Sequence, residues 1–97
     1  MTVEKYLGKY GRMRERYLKD YKREMYDELV RDGKLFDHCA DIDDTASEWL
    51  DRITKSMAKA DGLTEEMKNT DTMKWIGLMN NYKHCAEEII CNDLIYV

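Results

Sequence analysis

The chain predicts an all-α fold, a three-helix bundle of long antiparallel helices. Three observations predict it. Pro is absent from all 97 residues, and chains rich in β-turns ordinarily use Pro to make them. Val occurs three times, whereas Leu, Met, Lys, Glu, Arg and Ala, all good helix formers, are plentiful. Apolar residues recur at intervals of three and four over long stretches, the period of one helix face.

The first helix is predicted from about Lys9 to Arg31. Tyr10, Met13, Tyr17, Tyr21 and Met25 form its apolar face, and Asp32-Gly33 ends it with a left-handed cap. The second runs from about Lys34 to Ala60. Leu35, Ile42 and Trp49 lie seven apart, as do Cys39, Ala46, Ile53 and Ala60. That is the heptad seam of antiparallel bundles, on a helix about 40 Å long. Asp61-Gly62 stops it. Thr64 or Asp71 caps the next segment, with a short turn at Glu65–Asn69 before a third helix from Asp71 to about Leu94. Its stripe is wide: Trp75, Leu78, Met79, Tyr82, Cys85, Ala86, Ile89 and Ile90. Gly77 inside it costs about 1 kcal/mol against Ala and reads equally as close packing or as tolerance. The expected core is Tyr17, Tyr21, Leu35, Ile42, Trp49, Ile53, Met79, Tyr82, Ala86 and Ile89. Residues 1–97 form one domain, and exposed heptads would allow self-association into a homo-oligomer. One echo, Lys5-Tyr6-Leu7-Gly8-Lys9-Tyr10 against Arg16-Tyr17-Leu18-Lys19-Asp20-Tyr21, reads as a shared aromatic face.

Charge is unevenly spread. Residues 1–23 hold eight Lys/Arg and three Asp/Glu, a net of +5; residues 35–97 hold six and thirteen, a net of −7. Such asymmetry marks an interaction surface. Three cysteines, seven methionines and a start (Met1-Thr2-Val3-Glu4-Lys5) without an apolar h-region point to a reducing, cytoplasmic compartment. No stretch has the roughly 20 apolar residues of a membrane span.

The candidate site is a basic ridge. On a helical wheel Arg12, Arg16, Lys19 and Arg23 fall within about 60° of one another, on a face separate from the Tyr and Met residues. Arg14 and Lys22 flank them. Such a ridge suits phosphates, and Arg suits them best. It is also compatible with an acidic protein partner, with bare solvation, or with the acids of the second helix (Asp41, Asp43, Asp44, Glu48 and Asp51). Long helices joined at single glycines do not fit a helix-turn-helix reader, so phosphate contact, not base reading, is the nucleic-acid expectation.

Other chemistry is weaker. His38-Cys39, His84-Cys85 and Cys91 lack zinc-ligand spacing, since adjacent residues point about 100° apart on a helix. Asp37, Asp41, Asp44 and Glu48 form an acidic row without the Glu-x-x-His motif of di-iron bundles. No nucleophile elbow or P-loop is present. The expectation is no enzyme, no metal and no cofactor.

Four stretches carry a family resemblance: Gly8-Lys9-Tyr10-Gly11-Arg12-Met13-Arg14-Glu15-Arg16-Tyr17-Leu18-Lys19, then Thr64-Glu65-Glu66-Met67-Lys68 and Trp75-Ile76-Gly77-Leu78-Met79-Asn80-Asn81, and last Ala86-Glu87-Glu88-Ile89-Ile90-Cys91-Asn92-Asp93-Leu94-Ile95-Tyr96. Together they resemble the TnpV family, small proteins encoded on transposons and conjugative elements. Family members usually carry a further segment before the Gly-Lys-Tyr-Gly-Arg word. The resemblance implies a mobile-element origin and no catalytic residues, and it is compatible with a DNA-binding accessory to excision. The leading expectation is such an accessory, touching DNA through Arg12, Arg16, Lys19 and Arg23. The alternative is a protein–protein module: a homodimer, an adaptor, or an inhibitor of an element- or host-encoded protein such as a host defence protein.

Overall fold

The computed structural model describes residues 7–97. Among them it is all-helical, with no strand: α1 (Lys9–Tyr21), α2 (Arg23–Arg31), α3 (Leu35–Ala60), α4 (Glu65–Thr70), α5 (Thr72–Ile90), and a closing π-helical turn, Cys91–Ile95. The second predicted helix matches α3. The first is corrected: it breaks at Lys22, whose backbone leaves the helical region at φ −128° and ψ 54°. The third gives way to the π-turn at its end.

The break at Lys22 has its cause in chain geometry. Gly8, just before α1, and Gly11 within it lie against Asp43, and Arg14 lies against His38, so α1 and α3 run in opposite directions. From Arg14 an unbroken helix to Arg31 would travel about 25 Å, while Leu35 lies only about 4.5 Å beyond His38. The four steps from Arg31 to Leu35 reach at most about 14 Å. A straight helix could not deliver the chain to α3. The break lets α2 fold back, with Tyr26 and Leu29 half-buried, and Gly33 (φ +68°) makes the turn. Tyr21-Lys22-Arg23 contains neither Gly nor Pro, so nothing local announces the bend.

Two charged side chains tie α1 into the fold, each capping a helix end that is not its own. The Asp43 carboxylate accepts from Gly8 N–H (3.0 Å) and Gly11 N–H (3.1 Å) at the start of α1. Gly8 occupies the N-cap position and offers no side chain for that duty. Asp43 therefore satisfies orphan donors and places an anion at the positive helix end. Both glycines are required for the approach. A Cβ on Gly8 would fall 2.4 Å from Asp43 Oδ2, and one on Gly11 would fall 2.9 Å from the Cys39 carbonyl. At the other end Arg14, only 5% exposed, donates through Nη1 to the carbonyls of Ile95 and Val97 (2.8 Å each) and through Nε to His38 Nε2 (3.2 Å). A cation thus meets the negative end of the closing turn. Arg14 is buried structure, a correction to its place flanking the ridge.

The core is a cluster of Tyr10, Ala46, Ile90 and Ile95, with Met13, Ile42, Trp49, Leu50, Cys91 and Leu94 packed on it. Leu18, Cys39, Tyr82 and Ala86 are also buried. Of the expected core, Tyr82 and Ala86 are buried and Tyr17, Leu35, Ile42, Trp49, Ile53 and Met79 are half-buried. Tyr21 and Ile89 are corrections, since both are exposed. The physical reason is thinness: the shortest principal extent is 17 Å, about one and a half helix diameters, so few positions have neighbours on every side. The expected echo also dissolves. Lys5 and Tyr6 lie outside the described residues, and its two later tyrosines differ, Tyr10 being buried and Tyr21 exposed.

Candidate nucleic-acid interface

Arg12, Arg16 and Lys19 all project from the exposed side of α1. They line one shallow depression together with Glu15 and Asp20. Arg23 lies past the break, on α2, so the four-residue ridge is divided between two helices. Arg16 pairs with Asp20 (3.9 Å) and Arg23 with Asp27 (3.3 Å), each along its own helix. The Arg23 guanidinium also lies over the Tyr26 ring, 5.4 Å from its centroid. Exposed i,i+4 pairs contribute about 0.3–0.5 kcal/mol, a weak hold that a phosphate can displace.

The acids of α3 do not engage this ridge. Among the described residues no ion pair joins it to Asp41, Asp44, Glu48 or Asp51; Asp51 pairs with Lys55 on its own helix (3.0 Å). Asp43 is directed to the backbone of α1. The ion pair that α1 does make across the molecule is that of Lys9, which meets Glu87 of α5 at 3.0 Å. The ridge cations therefore face solvent.

An aromatic cluster adjoins the ridge. The Tyr17 ring stands 5.4 Å from that of Tyr21 (interplanar angle 32°) and 5.4 Å from that of Tyr96 (47°). These rings line a second depression with Met13, Arg16 and Asp20. Arg16 thus borders both the cationic and the aromatic hollow. Sequence reasoning assigns Tyr17 and Tyr21 to the core. Their i,i+4 spacing is visible in the sequence, but the arrival of Tyr96 from the far end of the chain is not.

The remaining sequence candidates sit apart. Asp37, Asp41, Asp44 and Glu48 bear no placement for a metal: no group of three or more His, Cys, Asp or Glu among the described residues is arranged to hold one. Cys39 is buried, and desolvation pushes its thiol up to about 11, which keeps it from acting as a thiolate. His38 serves Arg14, while His84 and Cys85 are exposed on α5. The α2–α3 hairpin has a three-residue turn, but α3 opens Leu35-Phe36-Asp37-His38-Cys39-Ala40-Asp41. Without Arg, Lys, Asn or Gln there, it has little with which to read base edges.

A groove of about 640 Å³ runs between α3 and the α4–α5 segment, lined by residues that include Leu50, Thr54, Leu63, Trp75 and Met79, with Lys55, Lys59 and Lys83 at its margin. Lys68 lies over the Trp75 ring at 5.2 Å. Thr54 beside this groove is buried, and its hydroxyl has no hydrogen-bond partner among the described residues. No helix among the described residues is long and apolar enough to cross a membrane.

A family model described as "Transposon-encoded protein TnpV" matches residues 1–95. No curated protein and no solved structure matches the chain.

Proposed function

From the premise that the chain belongs to the TnpV family of transposon-encoded proteins, we propose that it is a non-enzymatic accessory of a mobile element that contacts DNA phosphates through α1. It works in the bacterial cytoplasm, with α1, α3 and α5 read as an antiparallel three-helix unit whose seam is α3. Arg12, Arg16 and Lys19 make the principal contacts, and Arg23 on α2 extends them. The observation that carries this reading is the outward display of these cations, bound among the described residues to nothing stronger than exposed neighbours on their own helices. The contact is electrostatic and independent of sequence.

Fluorescence anisotropy with labelled DNA across a salt series tests it. Binding should weaken steeply with salt, because each neutralised phosphate releases counterion. An Arg12→Glu/Arg16→Glu double mutant should lose it. Absence of binding by the wild type at about 50 mM salt, where phosphate contacts are strong, defeats the proposal.

A second reading, a protein–protein module, rests on the apolar groove and on Val30, Met73 and Ile76, which stay exposed on α2 and α5. Sedimentation analysis addresses it: a stable oligomer that Met73→Glu/Ile76→Glu dissolves would favour it, and a monomer at all concentrations would count against a homodimer.

A further inference from the structure

Resting on the DNA reading of α1, we propose that the ridge and the tyrosine cluster form one site for single-stranded DNA. Arg12, Arg16 and Lys19 take the phosphates, and Tyr21 and Tyr96 offer ring faces to the bases. A duplex hides its base faces inside the stack and needs only the cations. A single strand exposes both phosphates and faces, and proteins that hold it pair a cationic track with aromatic platforms.

The structure supplies both parts on adjacent faces. Tyr21 is 75% exposed and Tyr96 46% exposed, far more than an aromatic ring needs merely to fill space. Half-buried Tyr17 stands between them, its ring 5.4 Å from each, and holds them as a row. The rings are mutually tilted, at 32° and 47°, so they do not close into a stack of their own. Arg16 borders both hollows, where the backbone of a strand would pass from cations to rings. Base–aromatic stacking tolerates any sequence, matching the lack of base-reading groups at the start of α3. Two groups oppose the anion: Glu15 and Asp20 line the cationic hollow, and Asp20, 3.9 Å from Arg16, borders the aromatic one as well. That opposition gives a test which a merely structural role for these residues would not satisfy.

The experiment is anisotropy with a labelled 20-nucleotide thymidine strand and a 20-base-pair duplex, at about 50 mM salt and upward. Wild type should hold the strand more tightly than the duplex. Tyr21→Ala should weaken strand binding by roughly five- to one-hundred-fold and leave duplex binding unchanged; Tyr21→Trp, which keeps a ring, should retain it. Asp20→Asn should tighten strand binding several-fold. Thermal melts establish that each variant is folded, and Tyr21 is exposed enough to be removed without harm. Equal affinity for strand and duplex, with Tyr21→Ala silent, overturns the single-strand proposal and leaves the phosphate ridge standing. Binding to neither form overturns both.

Discussion

The two halves of α3 have different surroundings. Its first half lies between α1 on one side and the end of α5 with the closing turn on the other. Its second half has α5, and across the groove the Leu63–Glu65 link, on one side and solvent on the other. In the first, polar groups are fully used: Arg14 makes three hydrogen bonds and Asp43 caps two amides. In the second, Thr54 is buried without a partner among the described residues, and the end of α3 is tied to α5 by a hydrogen bond from the Tyr82 hydroxyl to Asp61 (2.6 Å). The glycines give the same contrast. A Cβ on Gly11 would strike the α3 backbone, whereas one on Gly77 would meet nothing within 4 Å. One helix can be a tightly specified core element over half its length and an open wall over the rest.

The largest effect should come from the closed end. Arg14→Met removes the donor shared by Ile95 and Val97 and strands a buried carbonyl. Urea denaturation should show a loss of about 3 kcal/mol or more, since hydrogen bonds to charged groups are worth roughly 1.5–3 kcal/mol and orphaned buried acceptors add their own cost. A loss under about 1 kcal/mol would mean that the closing turn is not held from α1. Next come the glycines, read as a pair. Gly11→Ala should destabilise by about 2 kcal/mol through overpacking. Gly77→Ala should stabilise by about 1 kcal/mol through helix propensity. Equal effects of one sign would erase the distinction between the two ends.

Particular residues show how much of this is legible in the sequence. Helix α3 and its Cys39/Ala46 row can be read directly, because the seven-residue spacing is a local property and both positions are fully buried. The break at Lys22 cannot. It arises from the distance α2 must cover to reach Leu35, a constraint between remote segments. Spacing alone puts Tyr21 in the core, because it matches Tyr10 and Tyr17. Periodicity identifies a face, but only the tertiary arrangement decides whether that face has a neighbour. Arg14 misleads for the same reason: its guanidinium reads as surface until Ile95 and Val97 arrive to accept from it. The ridge cations Arg12, Arg16 and Lys19 do share one face of α1, since exposed charge depends least on distant contacts. The Gly8–Gly11 spacing carries a signal whose meaning requires Asp43.

A smaller effect is expected at the open end. Thr54→Val replaces a hydroxyl that has no partner among the described residues with a methyl of similar shape. Burying an unpartnered hydroxyl costs about 1–3 kcal/mol on protein-based scales, of which relaxation recovers part. Thermal unfolding should therefore show the variant as stable as the wild type, or more stable by up to about 1 kcal/mol. Destabilisation beyond about 1 kcal/mol would show that the hydroxyl has a partner after all, and the groove would then be better satisfied than its geometry implies.

The final difference is a slope with pH. Burial, and then the neighbouring Arg14 charge, lower the pKa of His38 from its ordinary 6.5, so the imidazole stays neutral and accepts from Arg14 Nε. As pH falls below about 6.5, the unfolded chain takes up a proton that the folded chain refuses. Stability from this group is therefore full above that pH and is lost as pH falls through the lower folded-state value. Urea midpoints measured between about pH 7 and pH 5.5, above the ordinary carboxylate range, should decline in wild type. His38→Gln keeps a neutral acceptor for Arg14 without a titrating ring, so its midpoints should decline less. Parallel declines in the two proteins would detach His38 from the closed end and leave Arg14 held by the Ile95 and Val97 acceptors alone.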